Sequence, residues 1–312
     1  MNRCPITYET CGSEQYSAKG LQLLHPKLST LHPLPYSAEQ QRLEAATRMQ
    51  RMSIQGVQPK LSAVLDVSAS KFDLVDVDGR YIIKPQSHIF QSVPELEDVS
   101  MRMAKVISIE TPFHGLVYSK DGSLSYFIRR FDRIGKSKKV AVEDFAQLAG
   151  LSRTTKYRFS TEKMIAIIDA HCTFPVIEKT KFFRLLLFSF LIGNEDMHLK
   201  NFSLITRQQK VEFSPAYDLL NSTLAMGGAV EEMALPIAGK KSKLKRATFV
   251  KYLAEERLQL TTTIIKQELD SIKTALPEWK QLLDICFLST DLKRAYWELI
   301  EERAKRMDLW SF

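Results

Sequence analysis

The sequence predicts an α+β protein: an antiparallel sheet carrying one helix, followed by a helical remainder. Three observations carry that expectation. From Leu61 onward, apolar and polar residues alternate with period two in short runs, the mark of half-buried strands. Two Asp-Gly pairs, at 78–79 and 121–122, interrupt these runs as turn residues do. After Phe131 the apolar spacing widens to that of amphipathic helices, as at Met164, Ile165, Ile167 and Ile168.

Taken in order, the opening residues hold Pro26, Pro33 and Pro35 and are expected to be mostly irregular. Ser37 and Gln40 then stand at capping-box spacing, which predicts a helix over 37–52. Strands are expected at 61–67, 72–75 and 81–84, with Asp78-Gly79 as a tight hairpin, and at 116–119 and 124–129 around Asp121-Gly122. A helix over 94–106 falls between them, and further helices are expected over 160–170 and 182–192. The run 182–192 is the most apolar, yet it is shorter than the roughly 20 residues a membrane span needs and carries Arg184. A buried helix is therefore expected there. Short strands at 201–206 and 210–214 flank the polar tip 207–209, and three or four helices follow from Phe249, with Tyr296 and Trp297 as core.

With 312 residues and 45% hydrophobic content, the chain can bury a large core. No charged-then-apolar leader opens it, so the default expectation is a cytoplasmic protein with no membrane partner. Four cysteines without zinc-like spacing suit a reducing compartment, although a metal site at Cys4 and Cys11 stays open. Lys and Arg exceed Asp and Glu by 44 to 36, and the densest basic run is 240–246. Such a run is either a solvated loop or an attractor of nucleic acid or acidic protein, and no nucleic-acid reading motif accompanies it.

The most informative stretch is Gly193-Asn-Glu-Asp-Met-His-Leu-Lys-Asn201, directly after the apolar helix. Asp196 and Asn201 stand five apart, the separation at which phosphoryl-transfer loops place a base and a metal-holding amide. The expected hairpin then delivers a second carboxylate, Asp218. As isolated residues these would read as turn and helix caps, but a base, an amide, a hairpin and an acid in this order suggest Asp196 as base with Asn201 and Asp218 as Mg²⁺ ligands. Lys84 ends a buried strand, where an opposite charge or a phosphate must meet it. Glu97 and Glu95 are its candidate partners. Lys200 reads equally as a contact to the γ-phosphate or as an exposed loop lysine, and His198 as a frame for the loop rather than the base.

The segment 191–204, Leu-Ile-Gly-Asn-Glu-Asp-Met-His-Leu-Lys-Asn-Phe-Ser-Leu, resembles the catalytic loop of the HipA-like serine/threonine kinases, toxins of bacterial toxin–antitoxin systems. Further similar blocks are Ser53-Ile-Gln-Gly-Val-Gln-Pro-Lys60, Tyr81-Ile-Ile-Lys84-Pro, Pro94-Glu-Leu-Glu97, Arg129-Arg-Phe-Asp-Arg133, Val142-Glu-Asp-Phe-Ala-Gln147 and Pro215-Ala-Tyr-Asp218. They run in the family's order over roughly 50–240, and the distance from Met1 to the glycine loop resembles the short HipT type.

The resemblance implies a bilobal protein-kinase-like fold with a segment and helix over 1–50, a small nucleotide-binding lobe over 51–132 and a helical catalytic lobe over 133–312. It implies ATP and Mg²⁺ as cofactors and favours Glu97 as the partner of Lys84. The loop bearing Gly56, Val57, Gln58 and Lys60 would cover the ATP phosphates, and Ser53 would be its autophosphorylation site. Gln55 stands where the HipT type carries a second such serine. Adenine would meet the backbone at Arg129 and Phe131, Arg129 replacing the family's usual Glu. The implied substrate is an aminoacyl-tRNA synthetase. The implied partner is a HipB-like antitoxin, with a HipS-like one in addition, and DNA would be met only through the antitoxin. Residues 143–145 and the basic segment 136–139 are candidates for substrate docking. The competing readings are a lipid or small-molecule kinase and a kinase-like scaffold that only binds an antitoxin or DNA.

Overall fold

The structure is a computed structural model that describes residues 1–49, 58–135, 138–151, 156–228 and 231–310. The chain forms two compact units. The first comprises Met1–Asp98, Pro112–Lys138 and Ile285–Leu288, and the second Val99–Thr111, Lys139–Asp284 and Ser289–Phe312.

The first unit opens with a short helix, α1 (Ala18–Leu24), whose N-cap Ser17 Oγ accepts from Gly20 N at 3.0 Å. Sequence periodicity does not reveal this helix, because seven residues give only two turns of pattern before Pro26. Helix α2 (Ala38–Met49) starts on the expected capping box, with Ser37 N to Gln40 Oε1 at 2.9 Å and Gln40 N to Ser37 Oγ at 3.2 Å. Five antiparallel strands follow: β1 (Leu61–Asp66), β2 (Lys71–Leu74), β3 (Tyr81–Lys84), β4 (His114–Tyr118) and β5 (Leu124–Arg129), in the order β2-β1-β3-β5-β4.

The two Asp-Gly pairs behave differently. Asp121-Gly122 is a true hairpin tip, closing β4 on β5 with Tyr118 opposite Leu124 and Gly122 at φ +78°. Asp78-Gly79 is not the tight hairpin the sequence suggested, because β2 and β3 do not pair: β1 lies between them. Its glycine has a different cause. A Cβ at Gly79 would sit 1.8 Å from Ser62 Oγ on β1, so the crossing chain comes too close for any side chain.

Alternation along the strands sorts the sheet's two faces. Ile83 and its register partner Phe127 face a cluster with Ile6, Leu21, Leu24, Leu28, Leu31 and Leu34, so the irregular opening segment serves as the cover of one face. Each of these fully buried side chains contributes roughly 1.5–3 kcal/mol. Lys84 and its partner Tyr126 are one residue further along and therefore turn to the other face. There the start of α3 (Val93–Val106) brings Glu97.

Short strands β6 (Arg133–Ile134) and β7 (Lys138–Lys139) pair with each other where the first unit's segment 112–138 ends; in the second unit β8 (Val142–Asp144) joins β9 (Ser203–Arg207) and β10 (Lys210–Phe213) in a small antiparallel sheet. Gln208 and Gln209 both have positive φ, the backbone of a two-residue hairpin, as the polar tip suggested. Helices α4 (Phe145–Leu148), α5 (Thr161–His171), α6 (Pro175–Ile192), α7 (Ser222–Ala225), a π-helix (Thr248–Arg257), α8 (Thr262–Ile285) and α9 (Thr290–Arg306) supply the rest. Helix α6 begins seven residues before the apolar run: its first two turns mix exposed Val176 and Ile177 with polar residues, and only Phe182–Ile192 is buried almost throughout. Arg184 is satisfied there by Glu268 of α8, at 2.6 and 2.7 Å. Among the described residues no helix is long and apolar enough to cross a membrane.

Candidate active site

Two clusters hold the residues the sequence singled out. In the first unit, Lys84 Nζ meets Glu97 Oε1 at 2.6 Å, with Lys84 3% exposed and Glu97 0%. Lys84 also lies over the Tyr126 ring at 5.5 Å. Glu95, the other candidate partner, instead accepts from Gln86 Nε2 at 2.7 Å, and burial raises its carboxyl above the ordinary value. Next to Glu97, Asp98 meets His114 Nδ1 at 2.9 Å. Taking two charges from water costs several kcal/mol each, so the Lys84–Glu97 pair is held by its own geometry and by the strand and helix that present it.

In the second unit, α6 ends at Gly193 with φ +78°, a left-handed C-terminus that turns the chain out into the loop. A Cβ there would stand 2.9 Å from Asn221 Oδ1. Gly193→Ala is thus expected to cost about 1–2 kcal/mol for the left-handed backbone alone, read as a lowered urea midpoint, with lowered activity as the loop shifts. Asn194 is fully buried and ties two loop segments of the site together: its Oδ1 accepts from Asp196 N at 3.2 Å, and its Nδ2 donates to Asp218 O at 3.4 Å. Glu195 is buried as well, donating its N–H to Ser222 Oγ at 2.7 Å and accepting from Thr223 Oγ1.

The turn then closes on itself. Asp196 O accepts from His198 N at 2.8 Å and from Asn201 Nδ2 at 3.0 Å. With its nitrogen committed inside the loop, Asn201 has its amide oxygen left as the acceptor, the orientation a cation requires; this assignment follows from the hydrogen-bond network. Asp218 adopts φ +55°, a left-handed conformation that aspartate tolerates better than most residues. An amide oxygen and a carboxylate are the hard donors that suit Mg²⁺, which characteristically takes one or two protein ligands and completes its shell with water and phosphate oxygens. Among the described residues no group of three or more His, Cys, Asp or Glu could hold a metal, Cys4 and Cys11 included.

Lys200 Nζ pairs with Asp144 Oδ2 at 3.2 Å, while Asp144 Oδ1 accepts from Gln147 N at 2.8 Å and caps α4. Tyr217 donates to Lys200 O at 2.9 Å and is bonded by Ser203. In the same unit Phe145, Phe182, Phe202 and Phe213 form an aromatic cluster with neighbouring ring centroids 5.5–6.1 Å apart, stacked, tilted and edge-on. His198 is buried, and burial holds its imidazole below the ordinary value; the Asp196 carboxylate opposes that shift and Lys156 adds to it. Lys156 Nζ meets His198 Nε2, and the Tyr157 hydroxyl donates to Asp196 Oδ1. Asn194, Lys156 and Tyr157 were missed by sequence reasoning: nothing in their spacing from Asp196 marks them, since buried amides and loop tyrosines are common.

Ser53, Gly56 and Val57 lie outside the described residues, as does Lys136 of the basic docking segment. Gln58 is half-buried, with its Nε2 lacking a partner among the described residues, and Lys60 is half-buried. Arg129 N donates to Phe113 O at 2.8 Å, and its guanidinium lies 4.8 Å from the Phe113 ring centre and bonds the Tyr81 hydroxyl. Phe131 follows just after β5. Within the basic run, Lys241 pairs with Glu231 at 3.0 Å and Arg246 with Asp308 at 3.4 Å.

Residues 52–279 match the model of the HipA-like C-terminal domain family. A Haemophilus influenzae protein named as a candidate kinase is 28% identical over 269 residues, covering 77% of this chain and 75% of that protein. The serine/threonine-protein kinase toxin HipA of Shewanella oneidensis is 28% identical over 246 residues, covering 69% of this chain and 55% of HipA. In structure, Shewanella oneidensis HipA, solved with HipB and operator DNA, is matched with a TM-score of 0.67 at 21% identity, over 89% of this chain and 73% of that one. The Helicobacter pylori proinflammatory kinase CtkA is matched with a TM-score of 0.59 at 14% identity, over 83% and 92%. The α+β, protein-kinase-like fold class is therefore the one expected from the sequence. Because the family match spans more than half of its length, the chain belongs to the HipA-like C-terminal domain family.

Proposed function

We propose that this protein is an ATP-dependent serine/threonine protein kinase working with Mg²⁺. The observation that carries the reading is the buried Lys84–Glu97 pair. Apolar residues of similar volume would serve stability at least as well in such a position. A strand lysine held by a helix glutamate is what kinases use to meet the α- and β-phosphates.

The roles of the other residues follow from their chemistry. Asp196 orients the acceptor hydroxyl and takes its proton as the γ-phosphoryl is transferred. Asn201 Oδ1 and the Asp218 carboxylate would hold Mg²⁺, which when bound neutralises phosphate charge. Lys200 steadies the γ-phosphate by exchanging Asp144 for it, and His198 frames the loop. Gly56, Val57, Gln58 and Lys60 cover the phosphates with Ser53 as the self-phosphorylated residue, and the backbone at Arg129 and Phe131 borders adenine. Family membership supports a toxin role with an aminoacyl-tRNA synthetase as substrate. The likeness to Shewanella HipA, captured with HipB and operator DNA, supports a HipB-like antitoxin that mediates DNA contact.

The test is incubation of the purified chain with ATP, Mg²⁺ and a cell lysate, followed by phosphopeptide mapping. Phosphoserine or phosphothreonine in one dominant protein is the expected result. Label found only in lipid or small molecules would point to a different kinase class, and no label at all would leave a binding scaffold.

A further inference from the structure

Two adjacent residues of one short segment reach the loop's working groups. Tyr157 donates its hydroxyl to Asp196 Oδ1, and Lys156 Nζ meets His198 Nε2. The Tyr157 ring stands edge-on to the His198 ring at 5.1 Å and 81°, and Lys156 lies over the Tyr157 ring at 4.9 Å. His198 is in turn bonded through its backbone N–H to Asp196 O at 2.8 Å. We propose that Lys156 and Tyr157 are positioning residues, a clamp that fixes the rotamer of the Asp196 carboxylate and presents its Oδ2 edge to the acceptor hydroxyl.

The need for a clamp is physical. The Asp196 side chain is 49% exposed, so its carboxylate is not fixed by packing. An unrestrained carboxylate spends much of its time in rotamers from which it cannot meet the hydroxyl, and misplacement by about 1 Å can cost on the order of 100-fold in rate. The Tyr157 hydroxyl engages Oδ1 alone, and no other hydrogen bond to this carboxylate is made among the described residues. Burial first, and then the bond to Asp196, push the Tyr157 phenol well above its ordinary value, so it stays a donor at every working pH. Lys156 Nζ donates a hydrogen bond to His198 Nε2, which holds the His198 ring and through it the turn.

The inference rests on the kinase reading, and the experiment separates the two. Initial rates of ATP-dependent labelling are measured on the acceptor that the wild-type chain labels, for the wild type, Asp196→Asn, Tyr157→Phe, Lys156→Met and Lys156→Arg. The account expects Tyr157→Phe to lower kcat by about 10–100-fold with KM for ATP and the urea midpoint unchanged, and to have no further effect in an Asp196→Asn background. Lys156→Met is expected to act in the same direction, with Lys156→Arg restoring most of the rate. Tyr157→Phe turning over like the wild type would overturn the clamp alone. Faster turnover would make the phenol a plug in the acceptor's place and overturn it as well. A wild type no more active than Asp196→Asn would instead sink the kinase reading, and the clamp with it.

Discussion

Glu97→Ala is expected to destabilise the protein by about 3–5 kcal/mol, because it takes the carboxylate away from a lysine ammonium in a site closed to water. The two side chains are 4% and 1% exposed, so water cannot replace the lost partner. The Tyr126 ring face offers partial compensation, and such contacts are worth about 2 kcal/mol when desolvated. The measurement is a urea unfolding curve followed by tryptophan fluorescence and by far-UV circular dichroism. A paired substitution, Lys84→Met with Glu97→Leu, removes both charges together and is expected to recover most of the lost stability while remaining inactive. Stability and function are thereby separated at one position. A Glu97→Ala variant as stable as the wild type would mean that the Glu97 carboxylate is not what holds the Lys84 charge.

Much of this architecture was legible in the sequence, and the exceptions have physical causes. The capping box at Ser37 and Gln40, the hairpin at Asp121-Gly122 and the apolar core of α6 rest on local rules, and each is found where those rules point. Asp78-Gly79 obeys the same local rule but answers to a non-local demand, the passage of the chain over Ser62, and strand order cannot be read from a turn dipeptide. Helix α1 escaped because two turns are too few for a period to declare itself. At the site, the spacing of Asp196 and Asn201 and the strand position of Lys84 were visible. The choice between Glu95 and Glu97 depended on which face of α3 turns to the sheet, and the buried bridge from Asn194 to Asp218 joins residues 24 apart. Side chains that act by holding others, such as Asn194 and Tyr157, carry no chemistry of their own to advertise.

Asp196→Asn is expected to lower phosphate transfer by about 10²–10⁴-fold while leaving the fold intact, since an amide cannot take the acceptor's proton. The substitution is isosteric, and its amide oxygen can still accept the hydroxyl of Tyr157, so the loop keeps its contacts. The backbone of residue 196 continues to bond Asn201 and His198, and the urea midpoint is expected to stay within about 1 kcal/mol of the wild type. The most direct test of the account is therefore the rate at which purified wild-type and Asp196→Asn chains transfer radiolabelled γ-phosphate from ATP, in Mg²⁺, to serine or threonine. The account predicts label on the wild-type reaction and almost none with Asp196→Asn at equal stability; equal labelling by the two chains would contradict it.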